Sequence, residues 1–322
     1  MLKSIAERIK KAKAIGKQLN RPWLATLLDV ASCRLRYGAI LDDYMAFEFY
    51  RKNAAERDTF VTEKRLLGNL IPKANPDNVT NTFDDKAKFN HTFANFIKRD
   101  WIATEDCDED KIRSFLMKYP IVFVKETEGS QGLGVKRMET SDPMKIEEIL
   151  QWVRKGQKFV IEEPIRQHPD MAYFNESSVN SIRMETMIDD AGKVRFFNTI
   201  VIIGGKGSIV SNTHTGGVMC HINEELGVID SPGRNPKGER FIVHPQNGNL
   251  LMGKMIPMWK EVMDYSVNLA KVCPEARFIG WDIAITENGP EVIEGNTKPG
   301  MCTQACDMVG RWPLVKSLIT LK

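Results

Sequence analysis

The stretch GWDIAITENGPEVIEGNTKPG, residues 280 to 300, constrains this chain more than any other. Two segments of alternating apolar residues flank Glu287, Asn288 and Gly289. A three-residue loop ending in glycine is a favoured hairpin connection, with the glycine left-handed. That loop pairs Thr286 with Pro290 and sets Asp282 directly opposite Glu294, while Asn296, two residues on, shares the face of Glu294. Cross-strand partners have Cβ atoms roughly 5 Å apart, and facing carboxylates destabilise a sheet unless something compensates. A divalent cation would compensate: two carboxylates and an amide oxygen are hard ligands suited to Mg²⁺. The alternative is the solvated outer face of an edge hairpin, where Asp and Glu are merely polar.

Ahead of the hairpin the pattern is mixed. Residues 1 to about 80 read as helical, with apolar positions every three or four residues through WLATLLDVASCRLRYGAILDDYMAFEFY. IPKANPDNVTN then reads as a loop and a boundary. From about 84 onward helices (85 to 98, 108 to 118, 143 to 154) alternate with strands (121 to 125, 159 to 162), which predicts α/β architecture. Between 180 and 230 the runs SIRMETMID, VRFFNTIVIIG and GSIVSN predict an antiparallel meander, and a helix is expected over about 250 to 272.

A second informative stretch is FVKETEGSQGLGV, residues 123 to 135. Lys125 ends an apolar run, and Gly129, Ser130, Gly132 and Gly134 follow. It matches neither the P-loop nor the dinucleotide fingerprint. A glycine loop with its own lysine and a magnesium-competent hairpin are the two halves of a nucleoside triphosphate site. In that reading backbone amides of 129 to 134 cover the phosphates, Lys125 neutralises them, and Asp282, Glu294 and Asn296 hold the bridging metal.

Composition narrows the partners. The formal charge of +3 in 322 residues comes from nearly balanced acids and bases, so no field argues for nucleic acid. Six scattered cysteines in a chain of this size read as free thiols in a reducing compartment, and no run has transmembrane length, so a cytoplasmic location is expected. Cys302 and Cys306, or His214, Cys220 and His221, lack the second tight pair a zinc site needs. In MLKSIAERIKKAKAIGKQLN, Leu2, Ile5, Ile9, Ala12, Ile15 and Leu19 recur at helical spacing among six Lys and Arg. Such a helix either lies on an anionic membrane or packs on the domain behind it.

At these residues the sequence resembles the ATP-grasp superfamily over most of 84 to 322. DDK at 84 to 86 is similar to the early lysine helix, VFVKETEGSQGLGV to the strand, lysine and glycine loop, and FVIEEPI at 159 to 165 to the adenine hinge. GWDIAITENGPEVIEGNTKPG is similar to the metal hairpin of D-alanine:D-alanine ligases. The blocks QHP, SSVNSIR, SNTHTGG and IEGNTKPG most resemble the sugar-transfer-associated ATP-grasp group. The resemblance implies two α+β lobes, a small one over 81 to 164 and a large one over 165 to 322, behind a helical section at 1 to 80. It makes Lys86 and Lys125 the phosphate lysines, Ser130 a loop donor, and Glu162, Glu163 and Ile165 the adenine hinge. Asp170 becomes the ribose acid, with His168 as the alternative. Arg183 would steady the transferred phosphoryl group, and Asp282, Glu294 and Asn296 keep the metal role. One departure matters: residues 1 to 80 lack the βαβ pattern of the domain that usually precedes the grasp, so substrate identity does not transfer.

The implied reaction uses ATP and Mg²⁺. A carboxylate attacks the γ-phosphoryl group, and an amine displaces phosphate from the acylphosphate. In SIVSNTHTGGVMCHI, Asn212, Thr213, Gly216 and Gly217 are candidate acceptor contacts and His214 a candidate general base, against the alternative of a turn with a satisfied histidine. Lys298 is a candidate for a substrate carboxylate or phosphate, or a surface lysine. The group's name points to polysaccharide or natural-product biosynthesis, joining an amino acid to a sugar-containing or peptide acceptor. A kinase acting on a small-molecule hydroxyl, or a binding protein without turnover, are the competing readings.

Overall fold

The computed structural model describes residues 9–10, 13–129, 134–208 and 216–321. These residues divide into two compact units, one built from both chain ends, 1–73 with 300–322, and the other from 74–299.

The first unit is helical. Residues 13–18 form a helix with Ile15 buried and Lys13 and Lys17 exposed, and it ends in a turn at 19–20, where Asn20 takes φ 50°; of residues 1–12 of the expected basic helix only 9 and 10 are described. Helix α1 (Trp23–Tyr37) stops at Gly38, whose φ of 69° lets its N–H return to the Arg34 carbonyl. An aromatic core of Tyr37, Phe47, Phe49 and Phe60 follows, with Phe47 and Phe60 stacked at 4.7 Å. The C-terminal segment joins this unit through Gln304, which is fully buried. Its Oε1 accepts from Val61 N and Arg311 N, and its Nε2 donates to the Val61 and Met301 carbonyls.

The second unit contains two antiparallel sheets. Strands β1 (Trp101–Ala103), β2 (Ile121–Glu126), β3 (Val135–Glu139) and β4 (Phe159–Glu162) form the smaller in the order β1-β4-β2-β3. Alternation places Val122, Val124, Phe159 and Ile161 on one face. There they meet Ile112 and Leu116 of one helix (Glu109–Lys118) and Ile146, Ile149 and Leu150 of another (Pro143–Arg154). Asp108 and Asp142 cap those helices by accepting from Lys111 N and Met144 N.

The larger sheet comprises β5 (Ser181–Ile188), β6 (Val194–Ile203), β7 (Val218–Asn223), β8 (Val228–Ile229), β9 (Gly233–Arg234), β10 (Arg240–Phe241), β11 (Phe278–Thr286) and β12 (Gly289–Asn296). They run β10-β9-β7-β6-β5-β11-β12, with β8 paired to β7. One face carries Ile182, Met184, Val201, Cys220, Trp281 and Ile283 into the main core, with Phe83, Phe89 and Phe93 and the helix Trp259–Ala270.

Several expectations change. Residues 77–84 are helix (Asp77–Asp84), not loop: Pro76 precedes the first turn as a start signal, and Val79 and Phe83 face the core. The helix expected over 85 to 98 is Lys86–Thr92 followed by a tight turn, Ala94–Phe96. Helix over 250 to 272 is confined to Trp259–Ala270, because Gly253 takes φ 82° and Leu250 and Met255 make isolated bridges to Val243 and Val228. The run at 207 to 212 falls largely outside the described residues. In the hairpin, Thr286 pairs with Gly289 and not with Pro290, one residue tighter than expected, with Gly289 at φ 101°. A bulge between Asp282 and Ile283 then restores the register, so Asp282 does face Glu294.

Candidate active site

The helix Lys86–Thr92 meets the glycine loop end-on. Asp85 caps it, accepting from Ala87 N and Lys88 N, and bridges to Glu128. Lys86 N donates to the Thr127 carbonyl at 2.9 Å, and Lys86 Nζ to the Gly129 carbonyl at 2.8 Å. Gly129 and Gly134, at φ 137° and 82°, hold conformations that side-chain-bearing residues rarely adopt. Ser130 and Gly132 lie outside the described residues.

Lys125 on β2 and Glu162 on β4 share the face of the small sheet opposite its helices, and Lys125 Nζ donates to Glu162 Oε2 at 2.5 Å. Glu162 Oε1 accepts from Arg99 Nη2 at 2.9 Å and Asn90 Nδ2 at 3.2 Å. Arg99, with a side chain 1% exposed, continues through Nη1 to Glu291 Oε1 at 2.6 Å and the Val292 carbonyl at 2.9 Å on β12. One buried guanidinium thus ties the small sheet to the acidic hairpin. Burial pushes the Glu162 carboxyl up, but Arg99 and Lys125 outweigh it and hold the group well below the usual carboxylate range. The sequence reading missed Arg99 and Asn90: neither sits in a glycine or acidic motif, and their partners are about 60 to 190 residues away.

Across the large sheet the register builds a row on the face opposite the main core: His221 on β7, Ile200 on β6, Arg183 on β5, Asp282 on β11 and Glu294 on β12. Arg183 grips Asp282 with two bonds, Nε to Oδ1 at 2.5 Å and Nη2 to Oδ2 at 2.8 Å. Asn296 Nδ2 approaches Glu294 Oε1 at 3.3 Å. Glu294 is pushed up, first by burial and then by the Asp282 carboxylate. Arg183 offsets one of the two carboxylates, which leaves the pair one positive charge short, and their hard oxygens fit Mg²⁺. Among the described residues no three His, Cys, Asp or Glu side chains converge as a metal set, so the candidate set remains two carboxylates and an amide.

Lys86 joins the two halves electrostatically. Its pKa is lowered, first by burial and also by Lys125, while Glu294 and Glu162 act in the opposite direction. Lys86 therefore senses Glu294 of the hairpin as well as Lys125 and Glu162 of the small sheet.

The other candidates are placed less centrally. Glu163 N donates to the Asp100 carbonyl at 3.0 Å, and Ile165 follows in irregular backbone that docks where Gln167 bridges to Thr286. His168 N donates to Ile285 O, and exposed Asp170 lies 3.7 Å from His168. Both neighbour the tip end of β11, about 13 Å along the strand from Asp282. Gly216 has φ 92° and packs so closely on Gln246 that a Cβ would come within 2.3 Å of its Nε2; Gly217 is buried. Lys298 is exposed just past β12. Asn212, Thr213 and His214 lie outside the described residues. His221, in the same row as Arg183 and Asp282, pairs through Nδ1 with Asp230 Oδ1 at 2.6 Å.

Among curated proteins none matches the chain. Solved structures similar to it include the ATP-grasp ligase PsnB complexed with minimal precursor, at 14% identity and TM-score 0.47, over 76% of this chain and 63% of that one. D-alanyl-alanine synthetase A from Vibrio cholerae is similar at 14% and 0.45, over 76% and 62%. The purK N5-carboxyaminoimidazole ribonucleotide synthetase is similar at 9% and 0.44, over 72% and 52%. The chain thus spans between half and two thirds of these proteins. The family model for sugar-transfer associated ATP-grasp proteins matches residues 65–320, which take in the lysine helix, glycine loop, Arg183 and the acidic hairpin, and the chain belongs to that family.

Proposed function

We propose that the protein is an ATP- and Mg²⁺-dependent carboxylate-amine ligase, joining an amino acid to a sugar-containing or peptide acceptor through an acylphosphate in the cytoplasm. The observation that carries this reading is Lys86, which holds the Gly129 carbonyl of the glycine loop and feels both Lys125 and Glu294 of the acidic hairpin, and this supports one site for phosphate and metal.

In this reading residues 81 to 164 act as the small lobe and 165 to 322 as the large lobe. Lys86, Lys125 and the backbone of 129 to 134 hold the phosphates, and the segment from Glu162 to Ile165 holds the adenine. Glu162 orients Lys125 through its side chain, so its contribution to the adenine falls to its backbone. Asp170 or His168 meets the ribose. Asp282, Glu294 and Asn296 hold Mg²⁺, which supplies charge neutralisation to the transferring phosphoryl group. Arg183, fixed by Asp282, presents positive charge on the same row. A substrate carboxylate oxygen bonds to the γ-phosphorus as the bond to ADP breaks. The amine then bonds to the acyl carbon, phosphate leaves, and the amine loses a proton to a base such as His214. Asn212, Thr213, Gly216, Gly217 and Lys298 line the acceptor side.

The test is ADP release with Mg-ATP against pooled amino acids and sugar acids, with and without hydroxylamine. A hydroxamate establishes the acylphosphate, and its mass names the acid. ADP release with a product heavier by one phosphoryl group, and no hydroxamate, would replace the ligase with a kinase.

A further inference from the structure

Helix α1 is apolar on two opposite sides. Thr26, Cys33 and Tyr37 face inward and are buried. Roughly half a turn away, Leu24, Leu28 and Leu35 are 52%, 64% and 85% exposed, and exposed Ala31 completes a spacing of four, three and four residues. Trp23, 40% exposed, opens the helix about 100° around from Leu24, at the flank of this stripe. A soluble helix ordinarily turns polar residues to this side, so a stripe of leucines there marks a contact surface.

Charge identifies what it contacts. The first 40 residues hold nine Lys and Arg against two acids, a net of +7, while the remaining chain is −4. Of the two acids, Asp29 is held by Arg57 at 2.7 and 3.0 Å and by the Tyr44 hydroxyl at 2.8 Å. Arg34 and Arg36 flank Leu35 and are exposed, as are Lys13, Lys17 and Arg21; Lys13 Nζ stands 5.3 Å from the Trp23 ring centroid.

We propose that α1 docks this unit on an anionic lipid surface, with Leu24, Leu28 and Leu35 entering the headgroup boundary, Trp23 at its flank and the basic side chains meeting lipid phosphates. Leucine stripe, interfacial tryptophan and long cationic side chains are the components of a helix lying in the membrane plane. A second copy of the chain would set +7 against +7, which disfavours self-association through this face. The inference is independent of the ligase reading.

The test is flotation of the full chain with vesicles rich in phosphatidylglycerol and with phosphatidylcholine vesicles, alongside sedimentation without lipid. The expected result is binding to the anionic vesicles alone. Leu28→Glu with Leu35→Glu should weaken it by about tenfold or more, and Arg34→Glu with Arg36→Glu by a similar factor. Circular dichroism checks that these exposed-site variants are folded. Deletion of residues 1 to 20 should leave part of the binding, whereas complete loss would put the contact on that segment and overturn the role of α1. Unchanged flotation of the double-leucine variant would also overturn it. So would a concentration-dependent dimer that this variant abolishes, which would make the stripe a self-interface.

Discussion

Glu162 accepts from Lys125, Arg99 and Asn90 at once, and Arg99 is shared with Glu291. Two cations and two anions therefore balance in a place with almost no solvent, where removal of one partner leaves a buried charge uncompensated. Arg99→Met is expected to destabilise the protein by about 3–5 kcal/mol, read as a lowered denaturant midpoint. A loss below about 1 kcal/mol would show the network to be hydrated, and the coupling between the two sheets weak. Glu294 is exposed and lies outside this cluster, so its loss should act on chemistry and not on folding, whereas Lys125 belongs to the cluster and its loss should also lower stability. Lys125→Ala and Glu294→Ala are each expected to abolish Mg-ATP turnover, measured as ADP release, with little change in midpoint for Glu294→Ala and a lowered midpoint for Lys125→Ala. Asp106→Ala is the control: it breaks an exposed contact with His91 and should leave turnover intact. Normal turnover in the first two would remove these residues from the site.

At the scale of elements, Asp43 shows how short helices are held without a long apolar face. Its Oδ2 accepts from Ile40 N at 2.9 Å and from Glu63 N at 3.0 Å, linking the start of the Leu41–Ala46 helix to that of Glu63–Arg65. Burial pushes its carboxyl from 3.8 up to about 6, against the pull of those two N–H groups. A raised carboxyl pKa means that the fold binds the proton more tightly than the unfolded chain. Its contribution is therefore fully present below about pH 3.8 and is lost as pH rises through about 6. Asp43→Asn keeps the accepting oxygen and does not titrate. Between pH 4 and pH 7 the wild type should lose stability relative to this variant by up to about 3 kcal/mol, compared by denaturant midpoints at both values. A constant difference would mean that Asp43 ionises normally. Regular elements were legible where an apolar run is bounded by turn residues or one helix face alone is buried: β5, β6 and the helix Pro143–Arg154 fall where the sequence predicts them. The opposition of Asp282 and Glu294 was legible too, although a tighter turn and a bulge at Asp282/Ile283 offset one another. Three-residue β1 was hidden because its identity lies in pairing with β4, and a run so short has no period to read.

At the scale of the whole molecule, the chain ends fold together. Gln304 reaches Val61 across 243 residues of sequence with bonds in both directions, and Trp312 N donates to the Thr59 carbonyl at 2.7 Å. Gly310 packs so closely on Thr59 that a Cβ would lie within 2.4 Å of its backbone. No periodicity within either segment can announce such a pairing, which is why the helical section at 1 to 80 and the residues beyond 299 read as separate. The consequence for folding is specific. Residues 1–73 cannot complete their core until the C-terminal segment exists, whereas 74–299 carry their own two sheets and their own core. Deletion of 300–322 is therefore expected to raise amide exchange throughout 23–73 while β5, β6 and β11 stay protected, measured by hydrogen exchange on the full and shortened chains. Gln304→Leu, which keeps the volume and removes four hydrogen bonds, three of them buried, should produce the same pattern more weakly. Val61 N–H and its carbonyl would be left without partners at a cost of about 1–3 kcal/mol each. Equal protection of 23–73 in the full and shortened chains would show that the N-terminal helices are stable alone and that the C-terminal segment merely covers them.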